Sequence, residues 1–445
     1  MSNTDALTEE VTDLLQQLIR NQCVNDGTIA SGEEMRSVDA LRQYLGSTGL
    51  DVEVYEPQPG RTSMVSRIEG SDPDAPSLLL MGHTDVVPVN PDGWHRDPFG
   101  AEIVDGEVWG RGAVDMLNLT ASMAVAFKHL ADEGFKPKGT LSYLAVADEE
   151  ALGTWGARWL VEHEADAVVT DYVITESGGY QMPTPSGPRL PVMVEEKGTY
   201  WSTLRVRGTP GHGSQPFRTD NALVTAAEVV RRLNEYQPET RIGDTWRRYV
   251  EGVGFPPETA ESLLSAEKID GFLETLPPGF ARMAHACTHT TIAPTMVRGG
   301  TKQNVIPDQI ELKIDVRTLP GQSGDEVHAL LVDALGDLAE RVEIEPNDDP
   351  STSSPTDTQL WDVLSRTSAR LVEDSALVPF LMVGGTDNRF FRRAGSVGYG
   401  FGLFSKRLRF EDYASMFHGN DERVDQESLR LSTELWLATA RELLT

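Results

Sequence analysis

The sequence predicts an α/β protein of two domains, in which an α+β domain is inserted into a larger one. Three observations carry this prediction. At 445 residues the chain is longer than one hydrophobic core usually organises. Up to about residue 175, apolar strand patterns alternate with helical patterns, which is typical of a mostly parallel sheet flanked by helices. Amphipathic strands then dominate, and the first pattern returns near the C-terminus.

Residues 1–191 form the first part of the larger domain. A helix is predicted over 7–21, because leucine and valine recur there at helical spacing and Asp5 precedes them as a capping residue. Apolar or alternating runs predict strands at 52–55, 64–65, 78–81, 141–147 and 172–174, with helices at 120–133 and 155–163 between them. A loop rich in proline and glycine, 182–191, closes this part.

Residues 192–350 form the inserted domain. Its strands are predicted at 199–207, 290–297 and 310–316, and its helices at 219–233 and 325–338. A stretch rich in proline and aromatic residues, 238–283, reads as a helical insertion within it. The polar run 347–358 is the predicted linker back to the larger domain, whose second part, 351–445, holds strands at 378–383 and 396–399 and a helix at 427–444.

Composition excludes several classes of protein. A net charge of −30 argues against binding to nucleic acid, whose phosphates need a basic face. No run reaches the roughly 18 apolar residues that span a bilayer, and the N-terminus shows no secretory leader. Cys23 and Cys287 do not suggest a disulfide framework. We therefore expect a cytoplasmic enzyme or binding protein with no membrane partner.

One buried strand leads directly into a histidine. Four apolar residues at 78–81 predict a strand buried on both faces, and His83 and Asp85 follow it. Open α/β sheets place their chemistry at the carboxyl ends of their strands, and a carboxylate such as Asp85 can fix the tautomer of a metal-bound imidazole. A hydrogen-bonded turn histidine is the alternative.

Carboxylates follow three further segments: 141–147 runs into Asp148, Glu149 and Glu150, 172–175 runs into Glu176, and a glycine-rich turn at 106–112 leads to Asp115. Each alone could be a helix cap or a solvated loop residue. Together at one edge of a sheet they would repel one another strongly without a cation. Carboxylates mixed with imidazole suit zinc, manganese or cobalt, and the surplus of ligands suggests two ions.

An ordered set of motifs resembles the M20 family of metallopeptidases over nearly the whole chain. The motifs are His83-Thr-Asp85, Gly110-Arg-Gly-Ala-Val-Asp115-Met, Glu149-Glu150, Glu176, Gly208-Thr-Pro-Gly-His212-Gly-Ser, Asn304-Val-Ile-Pro307, Asp315-Val-Arg317, Gly384-Gly-Thr-Asp-Asn-Arg389 and His418-Gly-Asn-Asp-Glu422. The resemblance implies a zinc-exopeptidase-like catalytic domain with a mostly parallel sheet, and an inserted, ferredoxin-like lid domain that dimerises.

The same resemblance implies the metal ligands. Asp115 would bridge two zinc ions, with cobalt or manganese as alternative metals. His83 and Glu176 would complete one site, and Glu150 and His418 would complete the other.

Catalytic roles are implied as well. Glu149 would be the general base that deprotonates a water between the two metals and later protonates the leaving amine. Asp85 would orient His83. The peptide bond between Asp115 and Met116 would be cis, as it is in the family. The residues after Met116 differ from many family members, because Leu117-Asn118 stands where these have glycine or lysine.

Four lid and loop residues are candidates for substrate contact. His212 would reach the active site of a partner chain in a homodimer and stabilise the developing oxyanion. Asn304 and Arg317 match lid positions that contact substrate, and Arg317 or Arg389 would bind a substrate carboxylate. A structural ion pair is the alternative for both arginines.

The predicted function is hydrolysis of the amide bond in an N-acyl amino acid or short peptide with a free carboxylate. A carbamate or aryl-amide hydrolase that uses the same site is the alternative within the enzyme class. A non-catalytic binding protein of this fold would be expected to lack the base or a ligand, yet all of them are present.

Overall fold

A computed structural model describes residues 3–445. Met1 and Ser2, the first residues of the N-terminus in which no secretory leader is predicted, lie outside the described residues. Strands and helices alternate in its first part, as predicted. The helices are α1 (Asn3–Arg20), α2 (Met35–Leu45), α3 (Leu117–Asp132), α4 (Ala157–His163) and α5 (Ala165–Val168). The strands are β1 (Val52–Gln58), β2 (Arg61–Ile68), β3 (Leu78–His83), β4 (Glu102–Val104), β5 (Glu107–Trp109), β6 (Leu141–Val146) and β7 (Tyr172–Thr175).

The middle of the chain holds the amphipathic strands. They are β8 (Arg189–Glu196), β9 (Gly198–Arg207), β10 (Gly211–His212), β11 (Thr291–Gly299), β12 (Val305–Ile306), β13 (Gln309–Thr318) and β14 (Val342–Asp349). The helices are α6 (Ala222–Glu235), α7 (Asp244–Val253), α8 (Pro257–Leu263), α9 (Ile269–Leu273), α10 (Pro278–Thr288) and α11 (Gly324–Leu335).

The last part contains β15 (Thr352–Ser353), α12 (Gln359–Leu371), β16 (Ala376–Met382), α13 (Asn388–Arg393), β17 (Val397–Gly400), α14 (Phe410–Met416), β18 (Arg423–Asp425) and α15 (Gln426–Leu443). None of the helices within residues 3–445 has the length and apolar character needed to cross a membrane.

The large sheet has the strand order β1-β2-β6-β3-β7-β17-β8-β15, and β16 also pairs with β8. Its centre is parallel, since β3 runs parallel to β6 and β7, and β17 runs parallel to β7. Leu78 and Leu80 face one core with α1, α3 and α15, whereas Leu79 and Met81 face a second core with α4. Burial on both faces explains the unbroken apolar run of β3. The predicted α/β fold class is confirmed.

A smaller antiparallel sheet, β11-β13-β9-β14, forms the lid domain together with α6 and α11. Its elements follow one another as βαββαβ, the order of a ferredoxin-like fold. In β9 alternate residues are buried, from Tyr200 to Val206, because one face of the sheet packs against the two helices and the other does not.

The stretch predicted as an insertion is helical, but α7 to α10 pack on the larger domain rather than on the lid core. Trp246, Tyr249, Val250 and Val253 recur at helical spacing in α7 and bury against that core. The Tyr249 ring meets Phe380 of β16 edge-on at 4.8 Å between ring centroids. This corrects the assignment of 238–283 to the inserted domain.

Two segments predicted to be irregular contain strands. The proline- and glycine-rich loop 182–191 overlaps the start of β8, where Arg189 also bridges Met182. The predicted linker 347–358 overlaps the end of β14 and all of β15. In both places main-chain pairing with a neighbouring strand outweighs weak local strand propensity.

Candidate functional site

Three neighbouring parallel strands deliver ionisable residues to one edge of the large sheet. His83 is the last residue of β3, Glu176 follows β7, and Glu149 and Glu150 follow β6. Between β6 and Glu149 the chain turns sharply through Asp148, whose φ of 71° lies in the left-handed region. Because β3 lies between β6 and β7, these side chains meet at the carboxyl edge, as the sequence predicts.

Two loops bring the remaining ligand candidates to this edge. Asp115 ends a tight turn before α3, and His418 follows α14. Glu422 joins the two loops, since its carboxylate accepts hydrogen bonds from the main-chain N–H groups of Gly112 at 2.8 Å, Val114 at 2.6 Å and Asp115 at 2.8 Å. The guanidinium of Arg111 pairs with the same carboxylate at 3.0 Å. The peptide bond Asp115–Met116 is cis, as the resemblance implies.

The ligand candidates form two groups that share Asp115. In the first, His83 Nε2 lies 3.2 Å from Asp115 Oδ1 and 4.0 Å from Glu176 Oε2. In the second, His418 Nε2 lies 3.3 Å from Asp115 Oδ2 and 3.1 Å from Glu150 Oε2. One oxygen of Asp115 therefore faces each group, which is the arrangement that two cations bridged by one carboxylate require.

The chemistry of the donors fits divalent cations. Burial, followed by the charge of Asp115, raises the pKa of Glu150 to about 7, and the same two causes raise the pKa of Glu176 well above its usual range. Hydrogen bonds to Asp115 and Glu150 raise the pKa of His418 to about 10. Glu150 Oε1 is buried without a hydrogen-bond partner among residues 3–445. Carboxylates crowded and buried in this way need positive charge to compensate them, and bound cations would supply it.

Asp85 contacts two of the ligand candidates, in a way that differs from the predicted one. The Nδ1 atom of His83 lies 2.9 Å from the main-chain carbonyl oxygen of Asp85 and 3.7 Å from its carboxylate. Donation from Nδ1 to that carbonyl leaves Nε2 free as a metal ligand. The Asp85 carboxylate accepts instead from the main-chain N–H of Glu150 at 3.1 Å and from Asn25 at 2.8 Å. The Asp85 carboxylate therefore holds Glu150, which belongs to the second group of ligand candidates.

Glu149 faces the cavity beside the ligands without being one of the grouped residues. Its carboxylate has no hydrogen-bond partner within the described chain. Burial, followed by the charge of Glu176, raises its pKa well above the usual range of a glutamate. A carboxylate with a raised pKa, open to a cavity, is suited to accepting a proton from water.

The cavity measures about 670 Å³ and joins this acidic edge to a mainly apolar chamber. Its acidic end is lined by Asp115, Glu149, Glu150 and Glu176. Aromatic and methionine side chains from several elements form much of the remaining wall, among them Tyr180, Met193, Met283, Phe380, Phe410 and Phe417, and charged side chains such as Lys197, Arg317 and Arg389 also line it. A cavity of this size and composition accommodates a small molecule with a large apolar group.

Both arginines predicted to bind substrate line the cavity, and both are held by carboxylates. Arg317 pairs with Asp315 through Nε at 2.8 Å and Nη2 at 3.1 Å. Arg389 pairs with Asp349 at 3.1 Å and donates to the carbonyl oxygen of Leu152 at 2.9 Å. These contacts are the structural ion pairs that the sequence left open as the alternative.

His212 and Asn304 lie together on the lid domain and do not line this chain's cavity. His212 ends β10, Asn304 directly precedes its partner strand β12, and both residues are exposed. The Nδ1 atom of His212 accepts hydrogen bonds from the main-chain N–H of Ser214 at 3.1 Å and lies 2.8 Å from its hydroxyl. The ring proton therefore sits on Nε2, which is free to donate.

Two supporting features were not foreseen from the sequence. Glu422 belongs to one of the motifs that resemble the family. The motif does not indicate that the Glu422 side chain holds the turn that ends at Asp115. Arg61 is buried between Glu34 at 2.9 Å and Asp148 at 3.3 Å, next to Glu149. Its partners lie 27 and 87 positions away in the chain, so no local pattern could have revealed the cluster.

Comparison with known proteins places these observations in a family. A model of the peptidase family M20/M25/M40 matches residues 79–442. The N-fatty-acyl-amino acid synthase/hydrolase PM20D1 of Xenopus tropicalis is 27% identical over 433 residues, covering 92% of this chain and 82% of that protein. Mouse aminoacylase-1 is 24% identical over 396 residues, covering 88% of this chain and 86% of its own.

Solved structures support the same fold. The M20 family metallo-carboxypeptidase Sso-CP2 from Sulfolobus solfataricus superposes with a TM-score of 0.75 at 18% identity, covering 98% of this chain and 99% of that one. At that level of identity the likeness concerns the fold, including the division into a catalytic and a lid domain.

Proposed function

This chain belongs to the peptidase family M20/M25/M40 and is a hydrolase of amide bonds, and from that premise we propose that it cleaves N-acyl amino acids or short peptides with two bound divalent cations. The observation that carries the proposal is the shared position of Asp115 between two ligand groups. His83 and Glu176 would hold one ion with it, and Glu150 and His418 the other. Zinc suits this mixture of imidazole and carboxylate, as do cobalt and manganese.

The residues around the ligands divide the work of hydrolysis. Bound cations would supply Lewis acidity, which polarises the scissile carbonyl and acidifies water. Glu149 takes a proton from the attacking water, whose oxygen forms the new bond to the carbonyl carbon. It then gives that proton to the nitrogen as the C–N bond breaks, so that a carboxylic acid and an amine leave.

The cavity supports an N-acyl amino acid with a sizeable apolar acyl group. Part of its wall is built from Tyr180, Met193, Phe380 and similar side chains, and that part favours a hydrocarbon group. The names of PM20D1 and of aminoacylase-1 point to acylated amino acids as well. The products would be a free fatty or short-chain acid and an amino acid.

A homodimer through the lid domain accounts for His212. Its side chain is exposed and does not line the cavity of its own chain, and the contact of its Nδ1 with Ser214 leaves the Nε2 proton free to donate. In a dimer it would enter the partner's cavity and donate to the oxygen that becomes negative during attack. Asn304 lies beside it and would contact the same substrate. The edge strand β11, with Met296 and Val297 exposed, offers a surface for this association.

The proposed reaction is tested by loading the metal-free protein with zinc, cobalt or manganese and measuring amine release from a panel of N-acyl amino acids and dipeptides. We expect release only from the loaded enzyme, with N-acyl amino acids preferred. A protein that binds two ions and cleaves no member of the panel would contradict the proposal.

The action of His212 in a partner's site has its own test. A His212→Ala chain lacks the donor and a Glu149→Gln chain lacks the base, so each homodimer should be nearly inactive. Mixing them should restore activity, because one site in the mixed dimer then has both residues. An inactive mixture with proven exchange of subunits would refute action in trans. Ser186→Ala, a surface serine distant in sequence from both, serves as the matched control chain.

A further inference from the structure

One face of helix α10 lines the cavity. Gly279, Arg282, Met283 and Ala286 stand at positions i, i+3, i+4 and i+7 of this helix, so they share one side of it. Met283 and Ala286 are half-buried, whereas Gly279 and Arg282 are exposed. The cavity face of α10 therefore leads from the interior of the protein to its surface.

The other side of α10 is packed on the larger domain. Ala284 and Cys287 are buried in the main core of that domain. The ring of Phe280 lies against that of Phe255, with 5.8 Å between the ring centroids. The helix is thus part of the same packed body as the strands that carry the ligand candidates.

A buried lysine anchors the C-terminal end of α10. The Nζ atom of Lys197, between β8 and β9, donates to the main-chain carbonyl oxygens of Ala286 at 2.9 Å and His289 at 2.7 Å. Carbonyl groups at this end of a helix lack partners within the helix itself. Because α10 is held both along its buried side and at this end, the side chains on its cavity face set the space that a ligand can occupy.

The cavity face of α10 has the length and the small side chains that a hydrocarbon chain needs. From Ala286 to Gly279 the helix advances about 10 Å at 1.5 Å per residue. An extended hydrocarbon of that length has about eight carbon atoms, given the length of a C–C bond. A Cβ atom added at Gly279 would meet no other atom within 4 Å, so this end of the face is open. Met193 and Phe380 add apolar surface to the same cavity.

We propose that the cavity face of α10 binds the acyl chain of the substrate along its length, and that the chain emerges into solvent beside Gly279. The proposal rests on the proposed function, which supplies an N-acyl amino acid. Each methylene group that this face removes from water should raise kcat/KM about fourfold. The gain should level off at about eight carbons, because carbons beyond the open end of the face stay in water.

The test measures amine release from N-butanoyl-, N-octanoyl- and N-dodecanoyl-L-leucine by the metal-loaded enzyme. In wild type, kcat/KM should rise steeply from butanoyl to octanoyl and little from octanoyl to dodecanoyl. Ala286→Leu fills the inner part of the face and should lower the ratio of kcat/KM for octanoyl over butanoyl at least tenfold, which removes the gain from about two methylene groups.

A second variant acts at the open end, where a larger side chain meets no neighbour. Gly279→Gln places a polar group where the end of the chain emerges, and should lower the ratio of kcat/KM for dodecanoyl over butanoyl about fourfold, the gain from one methylene group. Gly271→Gln, at an exposed glycine of α9 that also has open space around it and does not line the cavity, is the matched control. Equal losses for all three compounds, or unchanged ratios in both variants, would overturn the role of α10.

Calorimetric binding of butanoate, octanoate and dodecanoate to the same metal-loaded proteins separates the acyl site from the reaction. Suppose that binding strengthens with chain length in wild type and loses this dependence in Ala286→Leu, while wild type releases no amine from any of the three compounds. That result would refute the proposed function and leave the acyl site standing. Amine release whose dependence on chain length both variants preserve would refute the acyl site and leave the proposed function standing.

Discussion

Glu149 and Glu150 are adjacent in the chain, yet their surroundings give them different chemistry. The Glu150 main-chain N–H is bonded to Asp85, and its carboxylate contacts His418. Glu149 points into the cavity with no hydrogen bond to restrain it. Both residues lie in the short 3-10 helix Glu149–Ala151, in which neighbouring side chains point in different directions. In the proposed function Glu150 binds a cation and Glu149 transfers a proton.

Replacing Glu149 by Gln should remove the base and leave the ligand groups intact. We expect kcat to fall by about 10²–10⁴-fold, the usual cost of losing a general base, with unchanged metal content. Steady-state kinetics and metal analysis of the same preparation check this. Glu162→Gln, an exposed substitution on α4, should leave both quantities as in wild type. Near wild-type turnover in Glu149→Gln would exclude Glu149 as the base.

Single residues differ in how far the sequence could place them. His83 and Glu176 were predictable, because each follows a strand whose apolar run marks it as buried and parallel. The carboxylate of Asp85 was expected to orient His83, but the main-chain carbonyl does so, and only the fold reveals that Glu150 and Asn25 occupy the carboxylate. The pairing of Arg389 with Asp349 also depends on the fold, whereas Asp315, the partner of Arg317, lies only two positions away on the same strand.

At the scale of elements, Glu422 connects the turn before α3 to the loop after α14. Glu422→Gln should destabilise the protein, because a single amide oxygen cannot accept all three main-chain N–H groups and Arg111 is left buried without its counter-charge. The expected loss of unfolding free energy is about 3–5 kcal/mol. Urea denaturation measures it, with Glu102→Gln at an exposed strand residue as control. A loss below about 1 kcal/mol would mean that the two loops are held by other contacts.

Lys197 predicts a dependence of stability on pH. Burial, with a smaller effect of Arg317, lowers its pKa from 10.5 to about 7 in the folded protein. Between these values the unfolded chain binds more protons, so the cost of the buried charge disappears as pH rises and stability increases. Relative to Lys197→Met, the wild type should gain up to about 1.4 kcal/mol per pH unit above pH 7.

Denaturation of both proteins at several pH values from 7 to 9.5 measures this difference. Lys302→Met, at an exposed lysine of the lid domain, is the matched control. Parallel stability curves for the wild type and Lys197→Met would show that Lys197 does not titrate in this range.

The helices α7 to α10 show what periodicity can and cannot predict about an element. The spacing of Trp246, Tyr249 and Val253 identifies an apolar helical face. It does not say which surface that face covers, so the stretch was assigned to the neighbouring lid. Likewise β8 begins within a proline-rich loop and is a strand because β16 pairs with it, a contact between segments almost 190 residues apart.

The whole molecule brings its ligands from both ends of the chain to one place. The ligand candidates from His83 to Glu176 come from the first part, whereas His418 and the supporting residue Glu422 come from the last. The site therefore exists only when both parts of the large domain have assembled around β3. Cations that bound there would favour the folded chain over the unfolded one and would therefore stabilise it. We therefore expect folding and metal binding to be linked.

Removing bound metal with a chelator should lower the unfolding free energy. The expected loss is about 2.7 kcal/mol for each site when the free metal concentration before chelation is a hundred times the Kd of that site. Stoichiometry then tests the shared position of Asp115. Wild type should bind two ions per chain, Glu176→Gln should keep the ion at Glu150 and His418, and Asp115→Asn should lose both, because it alone serves the two groups.

Elemental analysis and thermal unfolding of each variant, with and without chelator, measure these values, and Glu102→Gln should behave as wild type. An Asp115→Asn protein that is folded by circular dichroism and still holds one ion tightly would show that the two groups bind independently. In that case a residue other than Asp115 would have to connect the two cations. The proposed position of the attacked carbonyl beside Glu149 would have to be revised with it.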